Sequence, residues 1–492
     1  MQSQLVPSKI LINGKWVDSS SGETTPVLSP ATLEVLAYCP KGNRDDAREA
    51  IDSAVSARSM AEEMTAYDRS KILLKVASLL EQNASTMASL ISQNVGKPIV
   101  DAEFETSRAA LTLTFASEEA KRLYGQTIPL DSHPFPQGNK DRLAITVREP
   151  IGVVGAISPF NFPLNLLVHK IGPAIAAGNT VVAKPPSDGP LPALMIAKLF
   201  QDAGLPAGIL NVITGPGSEV GDEIVSSPKV DAISFTGDTD TGRSIAEKAS
   251  KTNKKVMLEL GGHDPMVILD DADVEKAAKS AVSGVFSYSG QVCTATKRLI
   301  VSDKVHQKFV ETFSRLVEAL KVGNPSDRQT NVGPVINKSA LQKIESLVDS
   351  ASNSGAVTIT GGHRLEEGEF SKGYFYAPTV LDDVNSGMEI AQKEIFGPVA
   401  PILEVENDEA AVETANDTIY GLQASIFTSN LARGLRLARK IRAGAVMIND
   451  RTNMRWDNAP FGGVKRSGIG REGVSYAITE MTELKFIVAN LS

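Results

Sequence analysis

Polar and apolar positions change rhythm along the 492 residues of this chain. Over Arg44–Arg58, Asp68–Asn94 and Asp101–Tyr124, apolar side chains recur at helical spacing with Asp or Ser near several starts, which predicts three amphipathic helices. From Arg142 the period shortens to two, and Leu-Ala-Ile-Thr-Val-Arg-Glu alternates as a half-exposed strand does. Ile151–Ile157 then runs as a short apolar block into Ser158-Pro, the pattern of a parallel strand covered on both faces. Thr180–Lys184, Ile209–Thr214 and Ala232–Thr236 repeat that plan, each followed by Gly or Pro and a helical segment. Four such strands predict an α/β chain with a doubly wound nucleotide-binding sheet. A second α/β block runs from about Glu259 to Gly462, with helices predicted over Val305–Leu320 and Ser339–Ser352. The closing stretch, Thr482–Asn490, reads as a strand with nothing of its own to pair with, and is expected to add to a sheet in another subunit.

Composition narrows the classes. The length and a 42% hydrophobic content allow two or three domains with substantial cores. A net charge of -8 leaves no basic footprint for nucleic acid. Two cysteines, Cys39 and Cys293, cannot form a disulfide framework. No run reaches the roughly 18 apolar residues of a membrane span, and Met1–Pro7 has neither the basic nor the apolar region of a secretion signal. A cytoplasmic location is therefore expected. Histidines 133, 169, 263, 306 and 363 form no close ligand pair, so no metal is expected.

Candidate chemistry centres on Cys293, in Phe286-Ser-Tyr-Ser-Gly-Gln-Val-Cys-Thr-Ala-Thr296. Small polar neighbours let backbone amides and a substrate approach it, which suits a nucleophile, although a lone cysteine also serves as a small buried apolar side chain. Cys39, in Val35-Leu-Ala-Tyr-Cys-Pro40, has no such company and reads as structural. Glu259 lies in an apolar run just before paired glycines. Burial there raises a carboxyl toward the range of a general base, the other use being an ion pair or a backbone cap. Asn161, in Ser158-Pro-Phe-Asn-Phe-Pro163, can donate to a developing oxyanion or satisfy its own backbone. Glu394, in Lys393-Glu-Ile-Phe-Gly-Pro398, is open in the same way. Thr214–Gly221 and Phe235–Gly242 pass from strand to helix, where amides suit a pyrophosphate. Both also fit ordinary βα loops, and the first departs from the G-x-G-x-x-G spacing. Lys184 closes a strand at the sheet edge where ligands bind, and a ribose hydroxyl or phosphate suits it.

Taken together, Pro159-Phe-Asn-Phe-Pro, Lys184-Pro, Phe235-Thr-Gly, Leu258-Glu-Leu-Gly-Gly, Gly290-Gln-Val-Cys293, Glu394-Ile-Phe-Gly-Pro and Pro460-Phe-Gly-Gly-Val-Lys-Arg-Ser-Gly resemble the aldehyde dehydrogenase superfamily over nearly the whole chain. Tyr288-Ser-Gly-Gln and Gly262-His-Asp-Pro are similar to its non-phosphorylating glyceraldehyde-3-phosphate dehydrogenase and lactaldehyde dehydrogenase branch. The resemblance implies an α/β fold with a Rossmann-type cofactor domain (1–125 and 149–258), an α/β catalytic domain (259–462) and a small bridging β-element (126–148 and 472–492) that joins dimers or tetramers. It implies NAD(P)-dependent oxidation of an aldehyde to a carboxylic acid. Cys293 is then the thiolate nucleophile, Asn161 and the Cys293 N–H the oxyanion donors, and Glu259 the base that sends water against the thioester. Around the cofactor it implies Ile157, Ser158, Pro159, Phe160, Lys184, Pro186, Ser187, Gly215, Gly217, Gly221, Phe235, Thr236, Gly237, Asp238, Thr241 and Leu260. Lys184 serves the adenosine ribose or its phosphate, Glu394 the nicotinamide ribose, and Phe396 packs beside it.

Departures from the family pattern sharpen the expectations. Members strict for NAD often carry Glu three residues after the lysine, whereas this chain has Ser187, so NADP is favoured over NAD, with Asp188 a partial source of repulsion. Asp238 stands where many relatives place Ser and is expected to cap its helix or to contact through its backbone. The loop Asn449–Asp457 brings two arginines and a tryptophan toward the substrate tunnel. Arg108 matches a substrate-facing position, Val292 stands where the glyceraldehyde-phosphate branch commonly has arginine, and Thr294 follows the nucleophile. A small polar or anionic aldehyde is expected (glyceraldehyde-3-phosphate, glyceraldehyde, lactaldehyde or a semialdehyde), with Arg108 and Arg455 as anion partners or, equally, as arginines in ordinary salt bridges. A coenzyme A-acylating semialdehyde dehydrogenase would lack a water-activating base, and a non-catalytic member would have lost the nucleophile or the oxyanion donor. Glu259, Cys293 and Asn161 argue against both.

Overall fold

The computed structural model describes residues 6–134 and 139–492; residues 1–5 of the N-terminal stretch and 135–138 of the 126–148 element lie outside the described residues. Five parallel strands, in the order Lys255–Glu259, Ala232–Thr236, Val153–Ile157, Thr180–Lys184 and Leu210–Val212, form the centre of an eight-stranded sheet. Gly468–Ile469 extends one edge, and Ile10–Ile12 with Lys15–Val17 extends the other, all antiparallel. Val153–Ile157, Thr180–Lys184 and Ala232–Thr236 are buried at every position, as their unbroken apolar runs require. Strand order reverses beside Val153–Ile157, which opens a crevice at the carboxyl ends of the strands. The helix Asn165–Ala177 fills one face and is buried along its whole length.

The second sheet has seven strands, in the order Val357–Thr360, Thr379–Asp382, Val399–Val405, Thr296–Ser302, Asp264–Ile268, Gln423–Phe427 and Ala445–Ile448. All pairs are parallel except the first. Helices Val274–Phe286 and Asp303–Glu318 cover it through the stacked rings of Phe286, Phe309 and Phe313. Only residues 260–263 separate the end of Lys255–Glu259 from the start of Asp264–Ile268. The carboxyl edge of the first sheet thus runs straight into the amino edge of the second, and the candidate residues collect at that seam. None of the described helices is long and apolar enough to cross a membrane.

Two expectations change. The helix expected over Asp68–Asn94 is two helices, Ala66–Gln82 and Ala84–Val95, because Asn83 turns its Nδ2 back to donate to Leu79 O at 2.8 Å and ends the first. Thr482–Asn490 does have a partner in its own chain: it pairs antiparallel with Arg142–Pro150 at all nine positions. That pairing joins segments more than three hundred residues apart, so no local pattern announces it. The ribbon leaves Leu484, Phe486, Ile487 and Val488 exposed.

Candidate active site

Cys293 follows a backbone stretch in an unusual conformation. Tyr288, Ser289 and Gly290 are left-handed in succession, with φ of 47°, 55° and 71°. For two residues that carry a Cβ this costs on the order of 1–3 kcal/mol each. Fixed partners hold the turn: Tyr288 Oη donates to Val95 O at 2.7 Å, Ser289 Oγ to Gly333 O at 2.8 Å, and Gln291 Oε1 accepts from Ile336 N at 2.9 Å. A Cβ on Gly290 would lie 2.0 Å from Gly397 O, and one on Gly262 would lie 2.3 Å from Cys293 O, so both positions require glycine. Cys293 keeps partial solvent access. The packed shell around its sulfur nevertheless pushes the thiol up to about 12, with Arg455 pulling the other way, and near neutral pH it rests as the thiol. Cys39 is buried and pushed up to about 11, the behaviour of a structural cysteine.

Asn161 bridges Val153–Ile157 and the helix Asn165–Ala177. Its Oδ1 accepts from Phe162 N at 3.0 Å, which leaves the Nδ2 hydrogens available to donate. The helix start is fixed by Glu105, whose Oε1 accepts from Leu164 N and Asn165 N at 3.0 and 3.1 Å while its other oxygen pairs with the ammonium of Lys97. That ammonium also lies 3.7 Å from the Phe162 ring centroid and 4.7 Å from that of Tyr288. One buried ion pair therefore braces the Asn161 segment and the Cys293 turn together. Sequence reasoning missed the pair, although a glutamate on the same helical face as Ala102, Ala109 and Leu113 was its signal.

Glu259 ends its strand between Thr236 and Gly468. It is 4% exposed, its Oε2 has no hydrogen-bond partner among the described residues, and a Cβ on Gly462 would come within 2.7 Å of its Oε1. Burial, then the neighbouring Glu472, push Glu259 well above the ordinary carboxylate range, against the pull of Arg455, Lys170 and Arg471. Glu472 behaves oppositely: burial would raise it, but Lys170 and Arg455 outweigh burial and hold it below that range. Lys170 Nζ donates to Glu472 Oε1 at 2.9 Å and to Thr236 Oγ1 at 2.7 Å, and Arg455 Nη2 donates to Glu472 Oε2 at 2.8 Å. Neighbouring carboxyls with their pKa values forced apart are the arrangement that divides acid from base. Lys170 and Glu472 escaped the sequence reading; a lysine inside the apolar run Leu166–Ala177 was the available hint.

The candidate substrate residues separate. Arg108 and Val292 line one cavity of about 420 Å³, together with Phe162, Tyr288, Asp101 and Arg451. Arg108 is ion-paired with Asp457 through Nη2, with Nε at 3.3 Å, and Asp457 also meets His169 Nε2 at 2.9 Å. Burial would raise Asp457, but His169 and Arg108 more than offset it and hold the carboxyl low. Arg455 belongs to the Glu259–Glu472 cluster, its guanidinium 3.9 Å from the Phe461 ring centroid. Thr294 is buried, and its carbonyl accepts from Thr452 Oγ1 at 2.8 Å.

The expected cofactor residues gather along the carboxyl edge of the first sheet. Ile157 ends one strand and Ser158 follows it, with Ser158 N donating to Lys184 O at 3.2 Å and Ser158 Oγ buried without a partner among the described residues. Pro159 leads on to Phe160, whose ring meets Phe396 edge-on at 5.9 Å. Lys184 lies over Gly221, where a Cβ would stand 3.5 Å from its Cδ; its Nζ donates to Pro185 O at 3.0 Å, and burial lowers it to about 8. Pro186 is buried, and the exposed Ser187 donates from Oγ to Gly215 O at 3.3 Å. Asp188 accepts from Asn337 Nδ2 at 2.8 Å. Gly217 begins the turn that ends at Gly221 and has open space where a Cβ would be. Phe235, Thr236 and Gly237 close the neighbouring strand. Asp238 then caps the helix Thr239–Ser250 as expected, its Oδ1 accepting from Thr241 N at 3.0 Å. That helix packs so closely on Leu260 that a Cβ on Gly242 would lie 2.2 Å from it. Across the seam, Glu394 accepts from Gly262 N at 3.2 Å. An edge floored by glycines, facing a helix N-terminus and holding the unpartnered Ser158 hydroxyl, fits a dinucleotide.

Comparison with known proteins identifies the family. The aldehyde dehydrogenase family matches residues 16–487. The mitochondrial succinate-semialdehyde dehydrogenase of Arabidopsis thaliana is 41% identical over 485 residues, 99% of this chain and 90% of that protein. The 3-sulfolactaldehyde dehydrogenase of Priestia aryabhattai is 40% identical over 482 residues, 98% of each. The crystal structure of an E. coli NADP-dependent enzyme superposes with a TM-score of 0.95 at 38% identity, over 99% of both chains. With a family match across nearly its whole length and relatives this similar end to end, the chain belongs to the aldehyde dehydrogenase family, enzymes that oxidise aldehydes with NAD or NADP.

Proposed function

We propose that the chain oxidises a small polar or anionic aldehyde to its carboxylic acid through a thioester on Cys293, with NADP favoured over NAD. The observation that carries this reading is the split between two buried carboxyls: Glu472 is bound by two cations, while Glu259 keeps a free Oε2 and a raised pKa. Cys293 Sγ gives up its proton to solvent and, as the thiolate, adds to the aldehyde carbon while the carbonyl π electrons move onto the oxygen. The Asn161 amide and the Cys293 N–H donate to the oxygen as it gains charge. A nicotinamide bound at the sheet edge supplies the hydride acceptor. Glu259 then takes a proton from water, the resulting hydroxide adds to the thioester carbonyl, and the C–S bond breaks to release the acid and restore Cys293.

Lys184 would hold the adenosine ribose or its phosphate. Ser187 puts no carboxylate against a 2′-phosphate, and Asp188 is engaged by Asn337. The N-terminus of Thr239–Ser250 suits the pyrophosphate, and Glu394 and Phe396 suit the nicotinamide ribose. Residues 1–125 with 149–258 would form the cofactor domain, 259–462 the catalytic domain, and 126–148 with 472–492 the element that joins a cytoplasmic dimer or tetramer. A panel of aldehydes assayed with both cofactors, with and without coenzyme A, tests the reading. Equimolar acid and reduced cofactor without coenzyme A is the expected result; acyl-coenzyme A as the only product would replace it.

A further inference from the structure

We infer that Arg451 binds the distal end of the substrate, which makes the favoured aldehyde one that carries a terminal oxyanion group, a carboxylate or a sulfonate. The inference rests on the anionic-aldehyde reading above and assigns its recognition to a residue that the family motifs do not single out.

Four cations line the 420 Å³ cavity, and three are already neutralised. Lys97 pairs with Glu105, Arg108 with Asp457, and Arg328 with Glu103. Arg451 makes no ion pair among the described residues; its backbone N–H reaches Asp450 Oδ1 at 2.8 Å, while its side-chain Nε is buried without any acceptor. Arg455, outside this lining, also has a buried Nε without an acceptor among the described residues, but its guanidinium is ion-paired with Glu472. A guanidinium with a buried unmatched donor favours a ligand that restores the missing acceptor, and its planar fork matches carboxylate and sulfonate oxygens.

A second residue of this lining also carries an unmatched atom. Asn453 donates from Nδ2 to Ser283 O at 3.3 Å, but its Oδ1 is buried with no donor among the described residues, so the wall offers a cation and, two residues on, an acceptor for a hydroxyl. Asp101 is the carboxylate in this lining; it accepts from Tyr288 N at 3.3 Å and makes no ion pair with Arg451.

The position of Arg451 relative to the nucleophile is fixed. Thr452, the next residue, donates from Oγ1 to Thr294 O at 2.8 Å and lies 2.9 Å from Thr296 Oγ1, which ties the arginine loop to the segment that follows Cys293. Val292, bonded to Cys293, lines the same cavity. An aldehyde held at Sγ would pass its far end beyond Val292, an apolar side chain with no charge to offer, and meet Arg451.

The test compares kcat/KM for succinate semialdehyde, 3-sulfolactaldehyde and the uncharged butanal in the wild type, Arg451→Met, Arg451→Lys and Arg455→Met. The wild type is expected to prefer one or both anions. Arg451→Met is expected to cut the anion-to-butanal ratio by about ten- to a hundredfold through KM, and Arg451→Lys to restore part of it. Turnover of butanal by the two Arg451 variants, and a wild-type-like unfolding transition for Arg455→Met, report that each has folded. The larger preference between carboxylate and sulfonate identifies the anion. A preference that survives Arg451→Met but collapses in Arg455→Met overturns the role of Arg451 and leaves the anionic reading standing. A wild type that treats all three aldehydes alike overturns the anionic reading itself.

Discussion

Lys170 Nζ lies 2.9 Å from Glu472 Oε1 with neither side chain open to solvent, and Arg455 holds the other carboxylate oxygen at 2.8 Å. Two buried cations on one carboxylate make that charge hard to remove. Glu472→Gln leaves both cations uncompensated, and a stability loss of about 3–5 kcal/mol is expected in urea unfolding. The same substitution removes a negative neighbour of Glu259, whose pKa should fall. The acid limb of the kcat profile is then expected to move to lower pH; a limb that stays in place would show that the two carboxyls do not sense each other.

Glu259 carries the second prediction. Burial holds its proton on, so the basic form grows as pH rises through its raised pKa, and thioester hydrolysis should quicken in step. Glu259→Gln is expected to keep the first-turnover burst of reduced cofactor and to lower steady-state kcat by about 10²- to 10⁴-fold. Loss of the burst together with kcat would assign Glu259 to the first chemical step instead.

Local features of this site were legible in the sequence, and the long-range ones were not. Cys293, Asn161 and Glu259 stand out because each interrupts its surroundings within a few residues, and the Asp238 cap follows from a rule that acts over three positions. The Lys170–Glu472 pair joins side chains 302 positions apart, and each of them alone reads as an ordinary charge. Glu105 acts on the amides of Leu164 and Asn165 across about sixty residues, a connection that no periodicity encodes. Arg108 and Arg455 were visible as arginines near a tunnel, but their partners Asp457 and Glu472 decide how much of their charge remains for a ligand.

The proposed preference for NADP is tested at Ser187 and Asp188. Because Asp188 is held by Asn337, Ser187→Glu introduces a carboxylate free to meet a ribose 2′ position. The NADP-to-NAD ratio of kcat/KM should fall by about tenfold or more, since like charges in contact cost several kcal/mol. Asn337→Ala, which releases Asp188, is expected to move the ratio the same way by less. An unchanged ratio in Ser187→Glu would exclude this position from the ribose contact.

Thiol chemistry gives a direct reading of the Cys293 environment. A thiol pushed up to about 12 exposes little thiolate near neutrality, so alkylation by iodoacetamide should rise about tenfold per pH unit without levelling below pH about 10. Arg455→Met removes the cation that pulls this thiol down and should slow alkylation at every pH. Measured in a Cys39→Ser background, a plateau near neutral pH would mean that the thiolate is already stabilised.

The terminal ribbon bears on assembly. A two-stranded ribbon is marginal in water by itself, yet Thr482–Asn490 and Arg142–Pro150 pair along their full length while Leu484, Phe486 and Val488 remain exposed on one face. Burying each of those side chains against a second copy contributes about 1.5–3 kcal/mol. Phe486 pairs with Thr146 in the middle of the ribbon, so Phe486→Asp places a charge at the centre of any interface built there. Sedimentation is expected to give a dimer or tetramer for the wild type and a smaller species for Phe486→Asp, with unfolding free energy unchanged once protein concentration is accounted for. A variant that keeps the wild-type mass would remove this ribbon from the contact between subunits.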